Sequence, residues 1–144
     1  MLIGEYTHTL DEKKRISIPS KFRSVLGKKV VISQSLDGCL AMYSLKEWEK
    51  IADKLGQMSF ASKDAREMTR FILSNAHEVS IDSAGRVLIP DNLCVFANIK
   101  SKTVFAGVYN RIEIWDEACW KSINEKIAKN ADQIAEKLGE IGAI

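Results

Sequence analysis

An α+β fold built from two related units is what this sequence predicts, and three observations predict it. The first is a phrase written twice. LDEKKRISIPSKFR, Leu10 to Arg23, returns as IDSAGRVLIPDNLC, Ile81 to Cys94, aligning Asp11 with Asp82, Arg15 with Arg86, Ile18 with Ile89 and Pro19 with Pro90. The second is that the likeness continues after a one-residue shift: CLAMYSLKEWEKI (Cys39–Ile51) lies over RIEIWDEACWKSI (Arg111–Ile123), so Tyr43 meets Trp115 and Trp48 meets Trp120. The third is that each copy mixes runs of apolar–polar alternation with stretches of helical period. Two copies are too few for a solenoid, so a pseudo-twofold pair is expected.

The elements follow in order. Leu10 closes a first strand, Glu12-Lys13-Lys14 makes a bend, and RISIP opens the next strand at Arg15, which reads as a tight hairpin. A short helix begins at Pro19, where a missing N–H is harmless, and Gly27 ends it. KKVVIS is a β-branched strand, and GCLAMY is another beyond the Leu36-Asp37-Gly38 turn. SLKE, Ser44–Glu47, is a capping box in which Glu47 can reach back to the Ser44 N–H. The helix it opens sets Leu45, Trp48, Ile51, Ala52, Leu55 and Met58 on one face. SKDAREMTRFILSNA is a second helix with Ala65, Met68, Phe71, Ile72 and Ala76 on one side.

The second unit repeats the order. Its bend is Ser83-Ala84-Gly85, where Gly85 suits a positive φ, and RVLIP, KTVFAGV and RIEIW supply its strands. A short helix starts at Pro90, and Asn110 sits in the last turn. From about Glu117 a long helix spaces Trp120, Ile123, Ile127, Ala131, Ile134 and Leu138 by three and four. That stripe either packs back on its own unit or meets a neighbouring chain. The division is therefore a first unit at 1–51, a helical insert at 52–77 and a second unit at 78–144. No Pro-rich or Gly/Ser-rich linker separates them, so one two-lobed domain is expected.

Composition narrows the function classes. A charged fraction of 28% against 46% hydrophobic suits a soluble globular protein. No apolar run nears the ~20 residues of a membrane span, and MLIGEYTHTLDEKK has no signal-peptide pattern. Cys39, Cys94 and Cys119 are far apart, without metal-ligand spacing, and read as reduced cytoplasmic thiols packed in the core. His8 and His77 lack nearby ligands for a metal. There is no nucleophile elbow and no phosphate-cradling Gly-rich loop, so neither an enzyme nor a bound cofactor is expected. Charge is uneven: Lys13, Lys14, Arg15, Lys21, Arg23, Lys28 and Lys29 face only Glu5, Asp11 and Glu12 within residues 1–36, whereas acids outnumber lysines from Asp116 onward. Such a basic front suits an anionic partner, although an ordinary solvated surface would look the same.

The repeated Asp and Arg carry the chemistry. An aspartate at the start of a turn accepts the loop's own N–H groups, and its charge can brace an arginine across the neck. Either each pair only staples its hairpin, or it holds the guanidinium out as a donor toward an anion. Repetition favours the second role, because two related loops could address two related half-sites.

The phrases D-x-x-x-R-[IV]-x-[IL]-P at Asp11–Pro19 and Asp82–Pro90, together with MLIGEYTHTLD, AHEVSIDSAGRVLIP and IEIWDEACW, resemble the MraZ family over nearly the whole chain. These are bacterial transcriptional regulators with the SpoVT/AbrB-like swapped-hairpin fold. The resemblance implies two such units forming a pseudo-twofold, β-barrel-like body with flanking helices. It further implies assembly into a homo-oligomeric ring on double-stranded DNA, at repeated promoter boxes upstream of the division and cell-wall gene cluster. A cytoplasmic, nucleoid-associated protein is expected. Carried over by position, Arg15 and Arg86 are the DNA-binding arginines, and Asp11 and Asp82 orient them. Lys13 and Lys14 flank Arg15 as further DNA contacts. The family usually has Gly or Asn before the arginine; Gly85 keeps this and Lys14 does not, so a differently shaped first loop is expected.

Arg23, Lys28 and Lys29 are weaker DNA candidates, as well explained by solvent-facing roles. Tyr43, Trp48, Trp115 and Trp120 recur at matching places and read as core or interface anchors rather than base-stacking platforms. The rival to a DNA reader is an oligomeric interaction or antitoxin-like scaffold without specific readout. Such a scaffold has no use for Lys13, Lys14 and Arg15 together.

Overall fold

The chain writes the same order of elements twice. In the computed structural model, which describes residues 1–144, the first unit runs β1 (Leu2–Thr9), β2 (Arg15–Ser17), α1 (Ser20–Leu26), β3 (Lys29–Gln34), β4 (Leu40–Ser44) and α2 (Leu45–Gly56). After α3 (Lys63–Leu73), the second runs β5 (His77–Ser80), β6 (Arg86–Leu88), α4 (Asp91–Phe96), β7 (Lys102–Tyr109), β8 (Ile112–Asp116) and α5 (Glu117–Glu140). No helix is long and apolar enough to cross a membrane.

The strands form a six-stranded antiparallel sheet in the order β1-β7-β8-β4-β3-β5 and a separate β2-β6 ribbon. Exchanging the two units reverses the sheet order and returns the same sheet, as a pseudo-twofold requires. Registers agree. The ribbon centres on Ile16 opposite Val87, flanked by Arg15–Leu88 and Ser17–Arg86. The middle of the sheet centres on Ala41 opposite Glu113, flanked by Leu40–Ile114 and Met42–Ile112.

Two expectations are corrected here. The first is the tight hairpin, because β1 and β2 do not pair with each other. The bend forms as expected, but β1 lies on β7 over eight residues and β2 lies on β6. Each arm gains a longer ladder from the other unit than the three-residue β2 could offer. The ribbon is lengthened by Ile18 N–H donating to Gly85 O and Ile89 N–H to Lys14 O, both at 2.9 Å. The second is the barrel-like body, which is not closed. β1 and β5 are the free edges of a sheet about 24 Å wide at the usual strand spacing, and β2 and β6 spend their ladders on one another.

Three layers result. One sheet face carries Val30, Ile32, Leu40, Met42, Phe105, Ile112 and Ile114 into a single core shared by both units. Ile16, Ile18, Phe22, Val87, Ile89 and Leu93 close that core from the ribbon, α1 and α4. Each of these buried side chains contributes about 1.5–3 kcal/mol of apolar transfer. The opposite sheet face is covered by α2 and α3 over one half and α5 over the other. There Tyr43–Trp48 and Trp115–Trp120, equivalent pairs in the two units, pack with ring centroids 5.6 and 5.8 Å apart.

The helices show where local rules hold. Ser44 Oγ caps α2 by accepting from the Glu47 N–H at 3.2 Å, whereas the Glu47 carboxylate pairs with Lys50 instead of returning to Ser44. In α3, Phe71 and Ile72 face inward as expected, Phe71 meeting Phe96 at 5.7 Å, but Met68 turns outward. Of the α5 stripe only Trp120 and Ile123 pack on the sheet; Ile127, Ile134 and Leu138 extend past its edge into solvent. Cys39 and Cys94 are buried as expected, but Cys119 is exposed. It precedes Trp120, and one residue along a helix turns the side chain about 100° away from the sheet.

Candidate nucleic-acid interface

Both Asp–Arg loops are built by one carboxylate doing three jobs. Asp11 Oδ1 accepts the backbone N–H groups of Lys13 and Arg15 at 2.9 and 2.8 Å, and Oδ2 accepts Arg15 Nε at 2.8 Å. Asp82 does the same for the backbone N–H groups of Ala84 and Arg86, both at 2.9 Å, and for Arg86 Nε at 3.1 Å. Each neck closes through the aspartate N–H donating to the arginine carbonyl, at 2.9 Å in both loops. The expected difference in loop shape does not occur. Lys14 takes the left-handed conformation at φ 62°, beside φ 79° for Gly85. A left-handed lysine costs roughly 1–2 kcal/mol, which the bonds to the Asp11 carboxylate offset.

The electrostatics follow from these bonds. The Arg15 backbone N–H, then its guanidinium and the Lys13 N–H, hold the Asp11 carboxyl below its ordinary 3.8. The Arg86 backbone N–H, then its guanidinium and the Ala84 N–H, do the same for Asp82. Their contribution to loop stability is therefore complete above the unfolded value and is lost as pH falls through the still lower folded values. Carboxyl carbon shifts of Asp11 and Asp82 should titrate with midpoints below 3.8. A midpoint at the ordinary value would mean that the clamp does not form in solution.

The ribbon decides where the arginines point. Residues directly opposite share a face, and faces alternate along a strand. Ile16 and Val87 turn into the core, each 1% exposed, so Arg15, Ser17, Arg86 and Leu88 all face outward. Arg15 and Arg86 stand diagonally across this face, as neighbours about 7–8 Å apart at the backbone with their Cβ atoms somewhat closer. In each, Nε is bonded to the aspartate, and neither terminal nitrogen has an acceptor in the protein. The outcome is two oriented guanidinium forks on the outward face of one ribbon. Such a fork matches the paired O6 and N7 acceptors of guanine, or two oxygens of a phosphate, and a two-stranded ribbon is narrow enough for a major groove.

The other candidates fall as follows. Lys13 is exposed and has no ion-pair partner. Lys14 reaches α4 and pairs with Asp91 at 3.5 Å. Lys29 pairs with Glu78 at 3.7 Å, and Lys28 is exposed with its carbonyl accepting the Ile81 N–H. Two outward residues were missed: Ser17, and Leu88 at 51% exposure. Strand alternation through Ile16 and Val87 was the signal that would have found them.

Comparison with known proteins gives one consistent result. The family model described as MraZ protein, antitoxin-like, matches residues 1–71 and again 72–139. Proteins named Transcriptional regulator MraZ from Clostridium tetani and Clostridium acetobutylicum are each 46% identical over 142 residues, covering 99% of both chains. The namesake from Clostridium beijerinckii is 47% identical over the same length and coverage.

Proposed function

This chain belongs to the MraZ family of transcriptional regulators, and on that premise we propose that it binds specific double-stranded DNA through its two Asp–Arg loops. The family is one of regulators rather than enzymes. The observation that carries the proposal is the pair of outward arginines, each held at Nε by an aspartate with its terminal nitrogens free. Arg15 is the principal base reader, Lys13 and Lys14 add phosphate contacts, Arg86 is the second reader, and Asp11 and Asp82 orient without touching DNA. The two units, 1–51 and 78–144 around an insert 52–77 that begins within α2 and ends on the first residue of β5, correspond to SpoVT/AbrB-like swapped-hairpin units, a reading supported by the exchanged pairing of β1 with β7 and β5 with β3.

One ribbon offers few contacts, so useful affinity comes from several chains on repeated promoter boxes. A homo-oligomeric ring would place them there, and the uncovered apolar stripe of α5 supports self-association. The boxes expected from the family resemblance lie upstream of the division and cell-wall gene cluster, giving a cytoplasmic, nucleoid-associated regulator.

The test is fluorescence anisotropy with a labelled duplex from upstream of the protein's own gene and a shuffled duplex of equal length, over a salt series. Tighter binding to the native duplex is expected, weakening with a log–log slope of about 0.9 per phosphate neutralised. Equal binding to both duplexes at low salt would leave the oligomeric or antitoxin-like scaffold as the better account.

A further inference from the structure

We propose that Arg23 is a backbone-phosphate contact of the second loop, supplied to it by the first unit and standing where Lys14 stands in the first loop. This rests on the DNA-binding function proposed above and adds a residue to it. Arg23 lies on α1, yet its guanidinium packs against Gly85: a methyl group built there would overlap Nη1 and stand 2.7 Å from Cζ. Exchanging the units turns Gly85 into Lys14 and Arg23 into Cys94. In the first loop the cation comes from the loop and the small partner from the helix, with Lys14 reaching α4 beside Asp91 and its charge acting on the Cys94 thiol. In the second loop the cation comes from the helix and the small partner, Gly85, from the loop. Each loop thus has one long cation at its shoulder, reached from opposite sides.

The two places differ in what balances the charge. Lys14 has Asp91, whereas the matching position on α1 is Ser20 and Arg23 makes no ion pair with any carboxylate. Its Nε is the only buried side-chain nitrogen or oxygen in the protein without a hydrogen-bond partner. An unpaired buried donor on a cation is costly, and a guanidinium held beside the Arg86 loop with no internal acceptor is poised for an external anion. The bend Ser83-Ala84-Gly85 has no lysine, so without Arg23 the second loop would offer a duplex only Arg86. A phosphate next to the base pair addressed by Arg86 would accept from the terminal nitrogens of Arg23, which are not buried and have no acceptor in the protein, and would balance its charge while Nε stays covered.

The experiment compares wild type with Arg23→Met, which keeps the apolar stem, and Arg23→Lys, which keeps the charge, by anisotropy over a salt series and by thermal unfolding. Arg23→Met should unfold no earlier than wild type, lower the salt slope by about 0.9 per engaged loop and weaken binding about tenfold at ~0.1 M salt. Arg23→Lys should recover most of the slope. A second arm rebuilds the first loop's arrangement in the second with Arg23→Cys plus Gly85→Lys; recovery of the slope lost in Arg23→Cys alone supports the assignment. Wild-type slope and affinity in Arg23→Met, with or without a lower melting temperature, would make Arg23 a packing residue and overturn it. Absence of salt-dependent binding by wild type would instead sink the DNA-binding function itself.

Discussion

Arg15→Ala is expected to weaken binding to the native duplex by about 10- to 100-fold at fixed salt, the cost of roughly 1–3 kcal/mol for losing one bidentate base contact. The geometry makes this a clean deletion. Asp11 Oδ1 holds the loop through backbone N–H groups, which the substitution leaves in place; only the bond from Oδ2 to Nε is lost. The variant should therefore keep its oligomeric state and its melting temperature close to wild type while preference for the native over the shuffled duplex collapses. Several chains on neighbouring boxes would multiply the loss. Arg86→Ala separates two roles for the second loop, since a comparable fall would make it a reader and a small one a structural counterpart. Wild-type affinity and preference in Arg15→Ala, measured by anisotropy, would remove the first loop from DNA recognition.

The second large effect is on stability. Ile16→Ala should cost about 2–5 kcal/mol, because Ile16 is 1% exposed at the centre of the ribbon and its loss leaves a cavity between ribbon and sheet. Against a total of about 5–15 kcal/mol, that is a severe change. Urea unfolding should show a lower midpoint at an unaltered slope. Ser17→Ala, one residue away on the outward face, should stay within about 0.5 kcal/mol. Equal, small effects from both would mean that the ribbon is not seated on the core, and the orientation of Arg15 and Arg86 would lose its basis.

What the sequence made legible was local. Alternation around Ile16 and Val87, the Ser44 half of the capping box and the aspartate-started bends are written within a few residues, and the structure forms them. Helix α1 starts one residue after Pro19, and the Glu47 half of the box does not form. Strand partners were not legible, because pairing β1 with β7 joins residues about a hundred positions apart and many antiparallel partners satisfy the same alternation. The hairpin and barrel expectations failed for that reason. The first loop's shape was misjudged because lysine carries no left-handed signature, while the conformation is imposed by Asp11 rather than by residue 14. Arg23 looked like a solvated cation because nothing in α1 announces that Gly85 lies against it.

The two shoulders also bear on direction. A pair of separate, identical chains related by a true dyad presents the same groups to both sides and suits palindromes. Here both halves are covalently one molecule, and they have diverged: Lys13 and Lys14 beside one arginine, Ala84 and Gly85 with a borrowed Arg23 beside the other. A body so polarised has a head and a tail. Successive copies along a duplex could then all point the same way, so an operator for this protein should read as a tandem array with a sense of travel rather than as an inverted pair.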